Sequence, residues 1–381
     1  MKWLLMLIVL LLPHFAAAQE QPTILVHYMP WYAAKPVSPS WGWHWTMNHF
    51  NPDQTENGKQ QLASHFTPLI GPYDSSDIEV LQCQLIQMKV AGIDGVIVDW
   101  YGLTDLFDYS QLHHNTKMLI EQAEALKMQF AICYEDQTIK QLENKNRLQG
   151  DSLSHARKEI EWLQHNWMIK PGYVQFQNKP VLLSFGLGNL NDQQWSEVLQ
   201  GKQEQICYVS QNTKRTAAMG AFDWPSPRLG TESIRTFRKK LASWEMGIPV
   251  AYPRFIDIYE QAELHESYGR IEDQKGRTFR LSLQSALATK AKLIQIATWN
   301  DWGEGTIIEP SKEYGYRDLE YLQQQRQRRG DLSGPWKAAD LRLGEAFLKK
   351  CREGSLSKEQ KTQLLNAIAT QDVLTARSLL K

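Results

Sequence analysis

The sequence predicts an α/β protein, a single (β/α)₈ TIM barrel with a C-terminal helical extension, and three observations carry that expectation. Eight short aliphatic runs begin near residues 24, 95, 129, 180, 205, 220, 248 and 292, most of them separated by a stretch with helical spacing. Alternating strand and helix imposes a parallel sheet, and eight such units over about 300 residues suit a closed barrel better than an open doubly wound sheet. No glycine-rich dinucleotide fingerprint follows the first run. Finally, the carboxyl ends of the runs carry Tyr32, Asp99, Tyr101, Glu135, Trp224, Tyr252, Asp301 and Glu304, and barrels of this class place their chemistry at that end.

Taken in order, Thr23 to Tyr32 reads as the first strand, ended by Pro30 and running into a loop that holds Trp41, Trp43, His44, Trp45, His49 and Phe50. A long aromatic loop directly after a buried strand is expected to line a site. Asp77 is placed to cap a helix whose apolar positions are Val80, Leu81, Leu85, Ile86 and Val90, with Gly92 as its stop. The second strand, with a polar and aromatic tip, covers Asp94 to Gly102, and a helix over Leu112 to Leu126 leads to the third strand, Gln129 to Asp136, which an acid closes. Helices are expected over Ser154 to Met168, Asp192 to Leu199, Ser233 to Glu245 and Thr278 to Thr289. They alternate with strands at Pro180 to Phe185, Gln205 to Ser210, Gly220 to Pro225, Ile248 to Tyr252 and Lys292 to Ala297. The charged run Gln323 to Arg329 reads as a solvated face or loop, Lys337 to Lys350 as the last barrel helix, and Ser357 to Lys381 as an appended helical segment.

Met1-Lys2, the apolar run Trp3 to Leu12 and the small residues Ala16 to Ala18 have the three parts of a secretory signal peptide. The expected organisation is therefore a signal peptide over 1–18, a catalytic barrel over 19–350 and a helical extension over 351–381. The mature protein is expected to be secreted or periplasmic, monomeric, and without stable membrane insertion, since the leading apolar run is too short to span a bilayer. Forty-two basic residues balance 42 acidic ones, which argues against a nucleic acid held by phosphate contacts. The 14 tryptophans often sit beside polar residues, as expected where flat sugar faces are stacked, although packing in the core accounts equally well for any one of them. Cys83, Cys133, Cys207 and Cys351 lack the paired spacing of a zinc site. Cys133 and Cys207 read as buried thiols, and pairing of some of the four in an exported protein stays open.

The chemistry is concentrated in Ala297 to Pro310, where a buried strand turns into Trp299-Asn300-Asp301-Trp302-Gly303-Glu304-Gly305. Two glycines let the backbone turn sharply enough to aim Asp301 and Glu304 into one space, whereas on a regular strand their spacing sends them to opposite faces. His44 and His49 lie five apart on a loop with no adjacent acid, and hydrogen bonding accounts for them better than a metal.

The stretch Trp299 to Pro310 resembles the N-E-W-H-E-G-T-x-I-E-P signature of glycoside hydrolase family 99, the endo-α-mannosidases and endo-α-mannanases. Tyr28 to Tyr32 with His44-Trp45, Pro68 to Tyr73, and Ala91 to Val96 leading to Trp100-Tyr101-Gly102 agree with the same family, in the same order. Asp301 stands where that family has glutamate, and Gly303 where it has histidine; in both respects the loop resembles the W-N-D-Y-G-E pattern of family 71, the α-1,3-glucanases. The resemblance implies Glu304 as general acid and Asp301 as base, with an oligo- or polysaccharide as partner and neither metal nor cofactor. Glu135 and Tyr101 are expected to touch the sugar in the cleavage subsite, with His44, Tyr252, Asn300 and Trp302 as wall or hydrogen-bonding groups. Glu309 is expected to bond to nearby backbone. The competing expectations are a barrel that binds carbohydrate without turnover, and metal-dependent hydrolysis, for which the sequence shows no ligand cluster.

Overall fold

The computed structural model describes residues 21–186, 188–330, 332 and 335–381; the expected signal peptide lies outside them. Eight parallel strands form a ring: β1 (Thr23–Tyr28), β2 (Gly95–Trp100), β3 (Gln129–Tyr134), β4 (Lys179–Ser184), β5 (Cys207–Gln211), β6 (Gly220–Phe222), β7 in two pieces (Met246–Ile248 and Val250–Ala251) and β8 (Leu293–Ile296). Each pairs with the next in chain order, and β8 returns to β1 with Ile24 opposite Ile294. The break in β7 falls at Pro249, which has no N–H to donate. Its first piece pairs with β6 and its second with β8, and the Pro249 carbonyl still accepts the Gln295 N–H at 3.0 Å, so the ring closes through an interrupted strand. Fold class and strand positions thus agree with the sequence reading.

The strands sort their side chains by alternation. Leu25, Ile97, Ala131, Leu183 and Val209 point inward and form one buried cluster, while Ile24, Val26, Val96, Val98 and Ile132 point outward under the helices in another. The outer layer contains α1 (Ile78–Ala91), α2 (Tyr109–Ala125), α3 (Ser152–Asn166), α4 (Asp192–Val198), α5 (Glu232–Leu241), α6 (Arg277–Leu287) and α7 (Arg317–Arg329). The start of α1 matches expectation: Asp77 Oδ1 accepts the Glu79 N–H at 3.0 Å, and Gly92 ends the helix at φ 87°, where a side chain would be strained.

Two assignments are corrected. The charged run Gln323 to Arg329 belongs to α7, the barrel helix that follows β8, and it is not a loop. Leu319, Leu322, Gln323 and Arg326 are buried, and Arg326 reaches the Pro22 carbonyl at 3.1 Å and Asp94 at 3.0 Å. Pairing accommodates the Arg326 charge, while Gln324, Gln327 and Arg328 of the same run are exposed, the solvated face that was expected. The helix expected to close the barrel, α8 (Leu343–Arg352), instead packs across α1, where Gly344 lies so close to the Cys83 carbonyl that a Cβ would stand 2.5 Å from its oxygen. Two further C-terminal helices, α9 (Lys358–Thr370) and α10 (Val373–Leu379), dock on the same side through Lys361–Glu79 at 2.6 Å and Arg377–Asp340 at 2.7 Å. All four cysteines are buried and free.

Candidate active site

Beyond β8 the chain is held on both sides. Trp299 N–H donates to the His27 carbonyl at 2.7 Å, tying the loop to β1, and the Thr298 and Thr306 backbones bond across it at 2.9 Å. Asn300 clamps Met29 twice, accepting its N–H at 2.8 Å and donating to its carbonyl at 2.9 Å. From beneath, Arg254 donates to the Ile307 carbonyl at 2.7 Å while paired with Asp318 at 2.8 Å and Asp273 at 3.2 Å. Between these anchors Asp301 Oδ1 accepts the Glu304 N–H at 3.0 Å, and Gly305, at φ 67°, returns its N–H to the Asp301 carbonyl at 2.9 Å. Gly303 has a steric reason as well: a Cβ there would stand 2.9 Å from Met47 Cε.

Asp301, Gly303 and Glu304 face a cavity of about 420 Å³ at the carboxyl ends of the strands, with Asp99, Tyr101, Glu135 and His44 also in its wall. That volume lies within the range of small-molecule sites. Aromatic rings supply much of the remainder: Trp31, stacked on His44 at 4.1 Å, together with Trp43, Trp224, Tyr259 and Tyr268. The acids are largely buried, and their ionisation responds. Burial raises Asp301 to about 6, against the pull of the loop N–H groups. Glu304 is pushed well above the ordinary carboxylate range, first by burial and then by repulsion from Asp301, and its Oε2 is buried without a hydrogen-bond partner. Burial likewise lifts Glu135 to about 7, opposed by the Gln137 amide. Asp99 is raised strongly, by burial and by the charge of Glu135.

Of the expected site residues, Asp301, Glu304, His44, Tyr101 and Glu135 converge on this one cavity. Asn300, Trp302 and Tyr252 do not line it; all three are buried behind its wall. Asn300 is the Met29 clamp described above. The Trp302 indole donates to the Tyr73 hydroxyl at 3.3 Å and its backbone N–H to the Tyr32 hydroxyl at 3.0 Å. Tyr252 is anchored to Ser282. Glu309 is structural as expected, but through side chains: it accepts from Gln84 at 2.7 Å and Tyr73 at 2.8 Å, and burial raises it to about 8. His44 and His49 have separate acidic neighbours, Asp108 at 3.5 Å and Glu263 at 4.0 Å.

Sequence reasoning passed over Asp99 as a site residue although it marked the end of a strand. It also missed Tyr259 and Tyr268, whose loop is shaped by the small hairpin Phe255–Ile256 with Arg270–Ile271. Folding further assembles a donor set invisible in the sequence spacing: His27, Asp99 and Cys133 place one potential ligand atom each within 4.8 Å of one another. Burial holds His27 near 3, so its ring is neutral.

No protein-family model matches the chain. A glycoprotein endo-alpha-1,2-mannosidase-like protein from Danio rerio is 21% identical over 356 residues, 82% of this chain and 77% of that protein. The glycoprotein endo-alpha-1,2-mannosidase of Mus musculus is 22% identical over 306 residues, 70% of this chain and 63% of that protein. Among solved structures, the GH99 endo-alpha-mannosidase from Bacteroides thetaiotaomicron superposes with a TM-score of 0.61 at 17% identity, covering 85% of this chain and 98% of that one. The chain thus shares its barrel fold with a glycan-cleaving enzyme of known structure.

Proposed function

We propose that the protein is a glycoside hydrolase that cleaves an α-linked glycan, with Glu304 as general acid and Asp301 as base. The observation that carries this reading is that the two acids, tied to each other through the loop backbone, open into one aromatic-walled cavity in electrostatic environments that separate their ionisation. Glycoside cleavage requires one protonated acid at the leaving oxygen and one ionised carboxylate acting at the other face of the sugar. Glu304, the more strongly raised, is the group that keeps its proton; Asp301, held down by loop N–H groups, is the one that loses it. Likeness to the endo-α-mannosidases supports an endo-acting α-mannoside cleavage. There O2 lies trans to the leaving group: Asp301 removes the 2-OH proton as O2 attacks the anomeric carbon, the glycosidic bond breaks with Glu304 protonating the departing oxygen, and water then opens the 1,2-anhydro sugar at the anomeric carbon, giving retention overall. His44, Tyr101 and Glu135 are the sugar contacts, and the leading 18 residues fit export of the enzyme.

A second reading rests on Asp301 itself. An aspartate is one carbon–carbon bond shorter than glutamate, about 1.5 Å, which leaves room for a water. In an α-glucoside O2 is cis to the leaving group and cannot attack, so Asp301 would then activate water, with inversion. A glycan-panel digest of α-mannans and α-1,3-glucans with wild type, Asp301→Asn and Glu304→Gln, reading the product anomer by NMR, separates the two. Retention on mannan supports the first reading and inversion on glucan the second. Binding of a glycan without release of reducing sugar by wild type identifies a non-hydrolytic carbohydrate-binding barrel and overturns both.

A further inference from the structure

Asp99, like Glu304, lacks the partners that Glu135 and Asp301 have. Glu135 is bonded by Gln137, and Asp301 by the Glu304 N–H, but both oxygens of Asp99 are buried with no hydrogen-bond partner. Strand alternation points it into the barrel beside Ile97, opposite Cys133 on β3, so it sits at the cavity floor with only 1% of its surface exposed. An unpaired buried carboxylate is unfavourable for folding, and a chain selected for stability alone would place an amide or an apolar side chain there. Its oxygens need donors, and the residue lines the cavity, where a ligand can supply them.

The composition of the wall narrows what those donors belong to. Asp99, Glu135, Asp301 and Glu304 contribute four carboxyl groups, and no lysine or arginine lines the cavity among the described residues. No lysine or arginine of the wall therefore compensates a further negative charge arriving with a ligand. We propose that Asp99 is a further specificity-determining residue, a floor group that accepts hydrogen bonds from the sugar unit in the cleavage subsite and restricts that unit to uncharged or amino-bearing sugars, excluding uronic, sulfated and phosphorylated ones. This deepens the glycosidase reading and rests on it.

The test compares wild type with Asp99→Asn, an isosteric change, and with Asp99→Ser should the first fold poorly. Melting temperature, kcat and KM are measured on the neutral glycan cleaved by wild type and on the same glycan oxidised to a uronic acid at the cleaved unit. Asp99→Asn is expected to melt at the same or a higher temperature and to raise KM for the neutral glycan at least tenfold. Wild type is expected to discriminate against the uronic acid by at least tenfold in kcat/KM, and the variant by less. A lower melting temperature with unchanged KM marks Asp99 as a packing residue and overturns the proposal, as does equal acceptance of neutral and acidic glycans by wild type. Metal analysis of the purified protein adds a third outcome. A stoichiometric ion retained by wild type and lost in Asp99→Asn assigns these oxygens to a metal shared with His27 and Cys133, and the proposal falls. Cleavage of neutral glycan unaffected by Asp99→Asn sinks this inference alone, whereas the absence of cleavage by wild type sinks the glycosidase reading with it.

Discussion

The Asn300 amide makes two hydrogen bonds to the Met29 backbone, at 2.8 and 2.9 Å, joining the carboxyl end of β1 to the loop that follows β8. The pair imitates a strand ladder where the barrel's own ladder has stopped, and it fixes Asp301, the next residue, against the first strand. Replacing Asn300 with Leu, of similar volume, leaves both Met29 groups buried and unpaired. The expected loss is about 2–4 kcal/mol, read as a lower midpoint in thermal denaturation, with a fall in kcat larger than the change in KM.

Arg254 anchors the other flank. It is fully buried, paired with Asp273 and Asp318, bonded to Ile307 and stacked 3.7 Å from the Tyr314 ring. Arg254→Met strands part of that negative charge, although Arg317 still faces both acids. The expected cost is therefore nearer the lower end of the roughly 3–5 kcal/mol typical of a broken buried pair. Urea titration should show a lower midpoint at unchanged slope.

Activity should follow a bell in pH. The rising limb reports Asp301 losing its proton near pH 6, and the falling limb reports Glu304 losing its own at higher pH. In Glu304→Gln the falling limb should disappear, and residual turnover should survive best on aryl glycosides whose leaving group needs no proton. A profile whose two limbs persist in that variant would show that Glu304 is not the acid.

Stability should fall as activity rises. Asp301 and Glu135 bind protons more tightly folded, at about 6 and 7, than as ordinary carboxylates near 4. The folded state thus carries more protons than the unfolded one across that interval, so unfolding free energy decreases with pH. The advantage is complete below about pH 4 and is lost as pH climbs through 6 to 7. Glu135→Gln should flatten the slope, measured as chemical-denaturation midpoints at a series of pH values.

Local chemistry made much of this protein readable in advance. Aliphatic runs marked all eight strands because a strand buried on both faces excludes polar side chains, and Asp77 with Gly92 bracketed α1 because the orphan N–H and C=O groups of a helix need those partners. The pairing of Asp301 with Glu304 was visible because a glycine-rich turn has few other reasons to crowd acids and indoles together. Closure decided the rest. Whether Asp99, Asn300, Trp302 or Tyr252 meets the cavity depends on strand tilt and register, which bring residues distant in sequence to one depth in the barrel. The same contacts bury Arg326 within the charged run of α7, since it finds Asp94 and a β1-side carbonyl only once the ring has closed. A sequence states which groups must find partners; the tertiary fold alone determines which partners lie within reach, because hydrogen bonds and ion pairs act over a few ångströms and no spacing along the chain encodes that distance.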